Sequence, residues 1–246
     1  MIVNSHVIIS GGGTGVGAAT AHVFDKAGAK VTILGRTEES LQAQGLSYQV
    51  CDVTDSSAVK AAFEAARAEH GPISTVVANA GASDSVPFAK MTTESLSNML
   101  DVNIVGVFNC WQAALPDMKV AGRGQMIVIA STAGLKGYPY VAGYCAAKHG
   151  VVGLTRALSV ELAPLGITVN AICPGFTETP MLDRSIKNIS AMTGMSAEDA
   201  VKSLQRSNPQ KRFIQVDEIA GTALWLCSES ARSVNGHTLN LNGGEL

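Results

Sequence analysis

Tyr144 and Lys148 stand four residues apart in the run Tyr144-Cys145-Ala146-Ala147-Lys148. On a helix, that spacing puts one side chain above the other on a single face. A phenol ordinarily holds its proton until about pH 10, and a neighbouring ammonium favours the phenolate. Such a pair would exchange a proton near neutral pH, which is acid–base equipment for a reaction at a carbonyl or alcohol carbon. Tyr and Lys at this spacing also arise from ordinary surface packing, so the companions of the pair must decide.

The pair falls in a helical stretch over 142–163, within a chain that alternates short β-branched runs with longer Ala-rich ones. Strands are expected at 7–10, 30–34, 48–51, 73–78, 125–130, 167–172 and 238–241. Helices are expected at 18–27, 38–44, 56–69, 142–163 and 216–228, and a long one runs from a Thr92 or Thr93 cap to about Met118. Nearly continuous apolar strands separated by helices imply a parallel sheet covered on both faces, and right-handed crossovers make it doubly wound. The expected class is therefore α/β, a three-layer α/β/α Rossmann fold in a single domain over residues 1–246. The segment from about 176 to 210 breaks the rhythm, lacks a strand candidate and carries Met181, Met192 and Met195.

Ser10-Gly11-Gly12-Gly13-Thr14-Gly15-Val16-Gly17 joins the first strand to the first helix. Glycines there permit a tight turn and let a diphosphate approach the backbone, while the helix N-terminus offers unpaired N–H groups to the anion. A flexible loop is the plain alternative, but the place between an N-terminal strand and a capless Ala-rich helix favours nucleotide binding. Two registers compete. Gly13, Gly15 and Ala18 fit G-x-G-x-x-A, whereas Gly11, Gly15 and Gly17 fit G-x-x-x-G-x-G, preferred because it puts Gly11 at the strand end. The second strand runs into Leu34-Gly35-Arg36-Thr37 with no carboxylate at its tip. An acidic residue there would hold the ribose 2′-hydroxyl of NAD. Arg36 instead offers a planar cation for a 2′-phosphate, so NADP(H) is expected over NAD(H). A solvated surface arginine is the alternative. Glu38 and Glu39 suit a first helical turn after a Thr37 cap.

Composition narrows the classes further. Hydrophobic residues make up 46% and charged ones 15%, as in a well-buried globular chain, and a net charge of -2 gives no general attraction to nucleic acid or anionic membrane. The scattered cysteines Cys51, Cys110, Cys145, Cys173 and Cys227 form no C-x-x-C pair, so reduced thiols in a cytoplasmic protein are expected rather than disulfides or zinc. No signal peptide and no membrane span is read. His6, His22, His70, His149 and His237 form no cluster and no metal site is expected. Ile129-Ala130-Ser131-Thr132-Ala133 has none of the glycines of a hydrolase elbow.

With these pieces together, the chain resembles the short-chain dehydrogenase/reductase family over nearly its whole length. Ser10-Gly11-x-x-x-Gly15-x-Gly17 is similar to the family's T-G-x-x-x-G-x-G, with Ser in place of Thr. Asn79-Ala80-Gly81 matches its N-A-G, although the preceding Ala78 departs from the usual Asn. Asn103, Ser131 thirteen residues before Tyr144, Tyr144-x-x-x-Lys148, and Pro174-Gly175 with Thr179 complete the series. The resemblance implies that Tyr144 gives a proton to the carbonyl oxygen in reduction or takes it in oxidation. Lys148 would lower the phenol's pKa and bond the nicotinamide ribose, Ser131 would hold the same oxygen, and Asn103 would position a relay water. Asp52, Val53, Asn79, Ala80, Gly81, Phe176, Thr177 and Thr179 would border the cofactor, with Asp52 near the adenine amino group. Asp52 would equally suit the start of a helix, Ser131 a turn cap, Asn103 a satisfied helix interior, and Asn79-Ala80-Gly81 a plain loop.

The same resemblance makes the 176–210 segment a flap over the substrate, with the three methionines as adaptable contacts or simply as its seat on the core. Leu135, Tyr138, Val141 and Cys145 would line the pocket, and Lys136, Arg184 or Lys187 would meet a distant phosphate. The implied reaction is NADPH-dependent reduction of a 3-oxoacyl thioester or related small ketone to a secondary alcohol. Oxidation of a secondary alcohol or 3-hydroxyacid is the nearest rival, and a non-turning nucleotide sensor is the distant one. A homotetramer, with a dimer as the alternative, would use the helices around 102–115 and 151–162.

Overall fold

The computed structural model describes residues 2–246. Its centre is a 7-stranded parallel sheet in the spatial order β3-β2-β1-β4-β5-β6-β7. The strands are β1 (His6–Ser10), β2 (Lys30–Gly35), β3 (Ser47–Val50), β4 (Ile73–Ala78), β5 (Gly124–Ile129), β6 (Ile167–Pro174) and β7 (Thr238–Leu241). The helices are α1 (Gly15–Lys26), α2 (Glu38–Gln42), α3 (Ser56–His70), α4 (Thr93–Leu100), α5 (Gly106–Ala121), α6 (Ala142–Leu162), α7 (Pro180–Thr193), α8 (Ala197–Gln205) and α9 (Val216–Leu226).

The layers follow from strand alternation, which sends successive side chains to opposite faces. Ile8, Val76, Val128 and Val169 meet Phe63, Trp111, Met118 and Val151 of α3, α5 and α6 on one side. Val7, Ile9, Val77, Ile127 and Ile172 meet Phe24, Leu41 and Ile219 of α1, α2 and α9 on the other. Both faces are covered, which is why the strand sequences read as unbroken apolar runs. Burying each of the largest of these side chains contributes about 2 kcal/mol. Among the described residues, no helix is long and apolar enough to cross a membrane.

One departure from the expected elements bears on the site. The single helix expected over 92–118 is broken: Thr92 does cap α4 by accepting from Ser95 N–H at 3.1 Å, but residues Asp101–Val105 form a π turn before α5 begins. The 176–210 segment folds as α7 and α8. Thr179 caps α7, Pro180 starts it with a pre-set φ, and Gly194 ends it in the left-handed conformation at φ 74°. Ser196 caps α8 by accepting from Asp199 N–H. The order of the sheet reverses between β1 and β4, which opens a crevice at their carboxyl ends.

Candidate active site

The glycine turn lies at that crevice, and the structure shows which of its glycines the backbone requires. Gly11 and Gly15 have φ of +65° and +55°, the left-handed region that L side chains avoid. A Cβ on Gly17 would run into the Gly11 carbonyl, and one on Gly11 would lie 2.9 Å from Ala80 Cα. The register Gly11/Gly15/Gly17 is therefore the structural one. Gly13 is small for a separate reason, its closeness to Ser40 Oγ. Ser10 Oγ accepts from the Asn79 and Ala80 N–H groups at 3.0 Å each, and Asn79 Nδ2 donates to the Ser10 and Gly11 carbonyls at 3.1 Å. The tips of β1 and β4 are thus pinned together. Thr14 precedes α1 in an extended conformation without a side-chain cap, and the first turn carries no acid, with Val16 at its second position. Open N–H groups, a backbone without side chains and no competing carboxylate suit a diphosphate.

Arg36 follows β2 with its side chain 73% exposed, and its Nη1 lies 3.9 Å from Asp52 Oδ2. Thr37 starts α2 without a side-chain cap bond. Asp52 does not start the next helix. Its Oδ1 accepts from Thr54 N–H at 2.9 Å and from the Thr54 hydroxyl at 2.8 Å, and these bonds hold its pKa below the ordinary carboxylate value. Asp55 caps α3 instead. Val53 packs on Gly106, and Asn109 Nδ2 donates to its carbonyl at 2.9 Å. Across the crevice, a Cβ on Gly15 would lie 3.4 Å from Thr179 Cγ2, so the start of α7 faces the glycine turn. Gly175 N–H donates to Leu241 O, Thr177 Oγ1 to Gly175 O, and Ile214 N–H to Phe176 O, which fixes the stretch after Pro174.

Tyr144 and Lys148 lie on α6 as the spacing required. Lys148 is 3% exposed, its Nζ donates to the Ile129 carbonyl at 3.0 Å and sits 5.6 Å from the centre of the Tyr144 ring. Ser131 begins the turn after β5, where its Oγ accepts from Ala133 N–H. Asn103 is fully buried in the π turn. Its Nδ2 donates to the Ala82 and Met99 carbonyls, while Oδ1 has no partner. A Cβ on Gly81 would lie 2.8 Å from that Oδ1 and 3.7 Å from Lys148 Nζ, so Gly81 is the gap between the two side chains. The orphaned acceptor beside a buried amine is what a bridging solvent molecule requires.

A family model for short chain dehydrogenases matches residues 5–190. The chain belongs to the short-chain dehydrogenase family. It is an NAD(P)(H)-dependent oxidoreductase acting between CH–OH and C=O carbons. It is 38% identical over 251 residues to a putative ketoacyl reductase of monensin polyketide synthase from Streptomyces virginiae, covering 96% of this chain and 95% of the relative. A D-beta-hydroxybutyrate dehydrogenase of Rhizobium meliloti is 31% identical, covering 96% of each. A solved structure of a variant actinorhodin polyketide ketoreductase with NADPH is 32% identical, with a TM-score of 0.94 over 100% of this chain and 99% of that one.

Within this dehydrogenase, burial dominates the electrostatics. Burial lowers Lys148 to about 8, and the nearby Cys173 partly opposes that. The Tyr144 phenol, expected to fall, is pushed up to about 12 by burial, against which only the Ser131 hydroxyl pulls it down. The ammonium, bonded to the Ile129 carbonyl and 5.6 Å from the ring centre, does not offset that burial in the free protein. At neutral pH the phenol is therefore a held proton rather than a phenolate.

Other expectations change as well. Lys136 is not free for a distant phosphate, because its Nζ pairs with Glu245 Oε1 at 2.6 Å. Met192 and Met195 are 73% and 46% exposed, so neither seats the flap nor faces a closed pocket. His149 is exposed, with Nδ1 on the Cys145 carbonyl. Ile214, Asn109 and Glu245 were not legible as site residues; each acts through a contact far away in the chain.

Proposed function

We propose that this dehydrogenase reduces a ketone, a 3-oxoacyl thioester or a related small carbonyl compound, to a secondary alcohol with NADPH. The observation that carries the reading is the fully desolvated Lys148 ammonium set between the Tyr144 ring and the orphaned Asn103 oxygen, at the carboxyl ends of β4 and β5. The glycine turn of Ser10, Gly11, Gly13, Thr14, Gly15, Val16 and Gly17 would hold the diphosphate. Asn79, Ala80, Gly81, Pro174, Gly175, Phe176, Thr177 and Thr179 would border the nicotinamide half, and Asp52 and Val53 the adenine. Arg36 would clamp the 2′-phosphate, since its pairing with Asp52 is long and exposed. When bound, the nicotinamide supplies the hydride.

The chain's own residues handle the proton. Tyr144 donates its held proton to the carbonyl oxygen as negative charge develops there, and Ser131 donates a hydrogen bond to the same oxygen. Lys148 stabilises the phenolate that is left, and Asn103 connects the amine to solvent through a relay water. The same groups run in reverse for oxidation of a hydroxyacid, a second reading with which the hydroxybutyrate dehydrogenase relatives are consistent. Helices α7 and α8 would form the substrate flap. The exposed Phe108 on α5 and Val160 on α6 would suit the contacts of a homotetramer, and the free cysteines a reducing cytoplasm. The test is NADPH consumption with a panel of 3-oxoacyl thioesters and small ketones. Turnover on at least one supports the reading; no turnover on any carbonyl or alcohol refutes it.

A further inference from the structure

Thr132, Lys136, Tyr138 and Glu245 form a polar cluster that the proposed proton transfer and cofactor binding do not use. The Glu245 side chain is 3% exposed. Its Oε1 accepts from the Tyr138 hydroxyl at 2.8 Å and from Lys136 Nζ at 2.6 Å. The Tyr138 oxygen in turn lies 2.7 Å from Thr132 Oγ1. Lys136 Nζ stands 4.8 Å from the centre of the Tyr138 ring, and that ring meets Phe176 edge-to-face with 6.1 Å between ring centres. A Cβ on Gly175 would come within 3.5 Å of Glu245 Oε2. Asn242 delivers the carboxylate: its Oδ1 accepts from the Gly244 and Glu245 N–H groups, with Gly243 and Gly244 at φ +64° and +93°.

We propose that Glu245 is a positioning residue for ketone reduction. The proposal rests on the function given above. A carboxylate this deep costs a great deal unless it is paired and hydrogen-bonded, and here Oε1 takes both the Lys136 ammonium and the Tyr138 hydroxyl. What it pairs with is informative. Thr132 directly follows Ser131, and the segment it opens runs through Lys136 and Tyr138 to Tyr144. Gly175 and Phe176 follow Pro174 on the opposite wall. One carboxylate from the chain after β7 therefore anchors the Ser131–Tyr144 connection at Lys136 and Tyr138, and it holds the Tyr138 ring that meets Phe176 of the stretch after β6. The two hydroxyls that must converge on one carbonyl oxygen, those of Ser131 and Tyr144, stand at the two ends of the segment that Glu245 anchors. Small misplacements of such groups cost large factors in rate.

The experiment compares wild type, Glu245→Ala, Glu245→Gln and Tyr138→Phe, reading kcat and KM for a reduced ketone and the NADPH dissociation constant by fluorescence titration. Glu245→Ala should lose roughly tenfold or more in kcat/KM for the ketone while NADPH affinity stays within about twofold. Glu245→Gln keeps an acceptor for the Tyr138 hydroxyl and should recover much of that loss, and Tyr138→Phe should fall between them. Adding Tyr138→Phe to Glu245→Ala should bring little further loss, as for residues acting through one contact. Ketone kinetics unchanged in Glu245→Ala, or NADPH affinity falling in proportion to kcat/KM, overturns the proposal. If Glu245→Ala does not fold, Tyr138→Phe with unchanged ketone kinetics overturns it alone. A wild type that reduces no ketone removes the underlying function and the proposal with it.

Discussion

Replacing Lys148 by Met should make the protein more stable and almost inactive. The amine is 3% exposed and its pKa falls from 10.5 to about 8, chiefly through burial. At about 1.4 kcal/mol per pH unit, keeping it charged costs about 3 kcal/mol of folding free energy below pH 8. Met has similar length and no charge, but it leaves the Ile129 carbonyl without its 3.0 Å donor, a loss of about 1 kcal/mol. The net expectation is a gain of about 1–2 kcal/mol at pH 7. Because the folded-state pKa is depressed, the cost is fully present below pH 8 and is relieved as pH rises from 8 to 10.5. The advantage of Lys148→Met should therefore shrink over that window and reverse above it. Urea unfolding of both proteins at pH 7, 8.5 and 10 reads this directly, because the other titrating groups are common to both. A variant less stable at pH 7, by an amount that does not change with pH, would show that the ammonium is not desolvated in the way described.

Three further outcomes follow from other parts of the site. Gly17→Ala places a Cβ against the Gly11 carbonyl and 2.5 Å from Asn79 Nδ2, so the turn must shift at about 1–3 kcal/mol. NADPH binding by titration should weaken by a factor of ten or more, and an unchanged affinity would dismiss the phosphate role of the turn. Arg36→Asp should cut the preference for NADPH over NADH by about 10–150-fold, the value of a charge-assisted hydrogen bond of roughly 1.5–3 kcal/mol; an unaltered efficiency ratio would return Arg36 to the surface. His6 is buried, with Nδ1 on the Gly71 carbonyl and Nε2 on Thr32 Oγ1, and burial holds its pKa below 6.5. The unfolded chain takes up the proton first, so denaturant stability should drop as pH falls from 7 toward 5.5, and drop less in His6→Gln. Equal pH dependence in both proteins would argue against it.

Much of this architecture was legible because a sheet buried on both faces writes itself as apolar runs: Ile73–Ala78 and the stretch ending β5 were readable to within a residue. The register of Gly11, Gly15 and Gly17 was readable because only glycine tolerates their φ or their contacts. The break at Asp101–Val105 was not, since helical periodicity and the Thr92 cap continue smoothly through it; a π turn inserts a residue without any breaker to mark it. Nor was Glu245, whose bond to Tyr138 spans 107 residues and is set by the path after β7. Nor was the direction of the Tyr144 shift, which burial sets. Spacing along a helix reports that an ammonium is near, whereas the phenol's acidity also depends on how much water its burial removes.

The most direct measurement is a single turnover of NADPH-loaded protein mixed with a ketone it reduces, in wild type and Tyr144→Phe. The phenol, held up to about 12 in the free protein, is protonated at neutral pH and ready to donate. Removing its hydroxyl should slow NADPH oxidation by about 10²–10⁴-fold or more while NADPH affinity is kept. Oxidation of NADPH at a wild-type rate in Tyr144→Phe would mean that another group protonates the carbonyl oxygen, and the role given to the Tyr144 and Lys148 pair would be wrong.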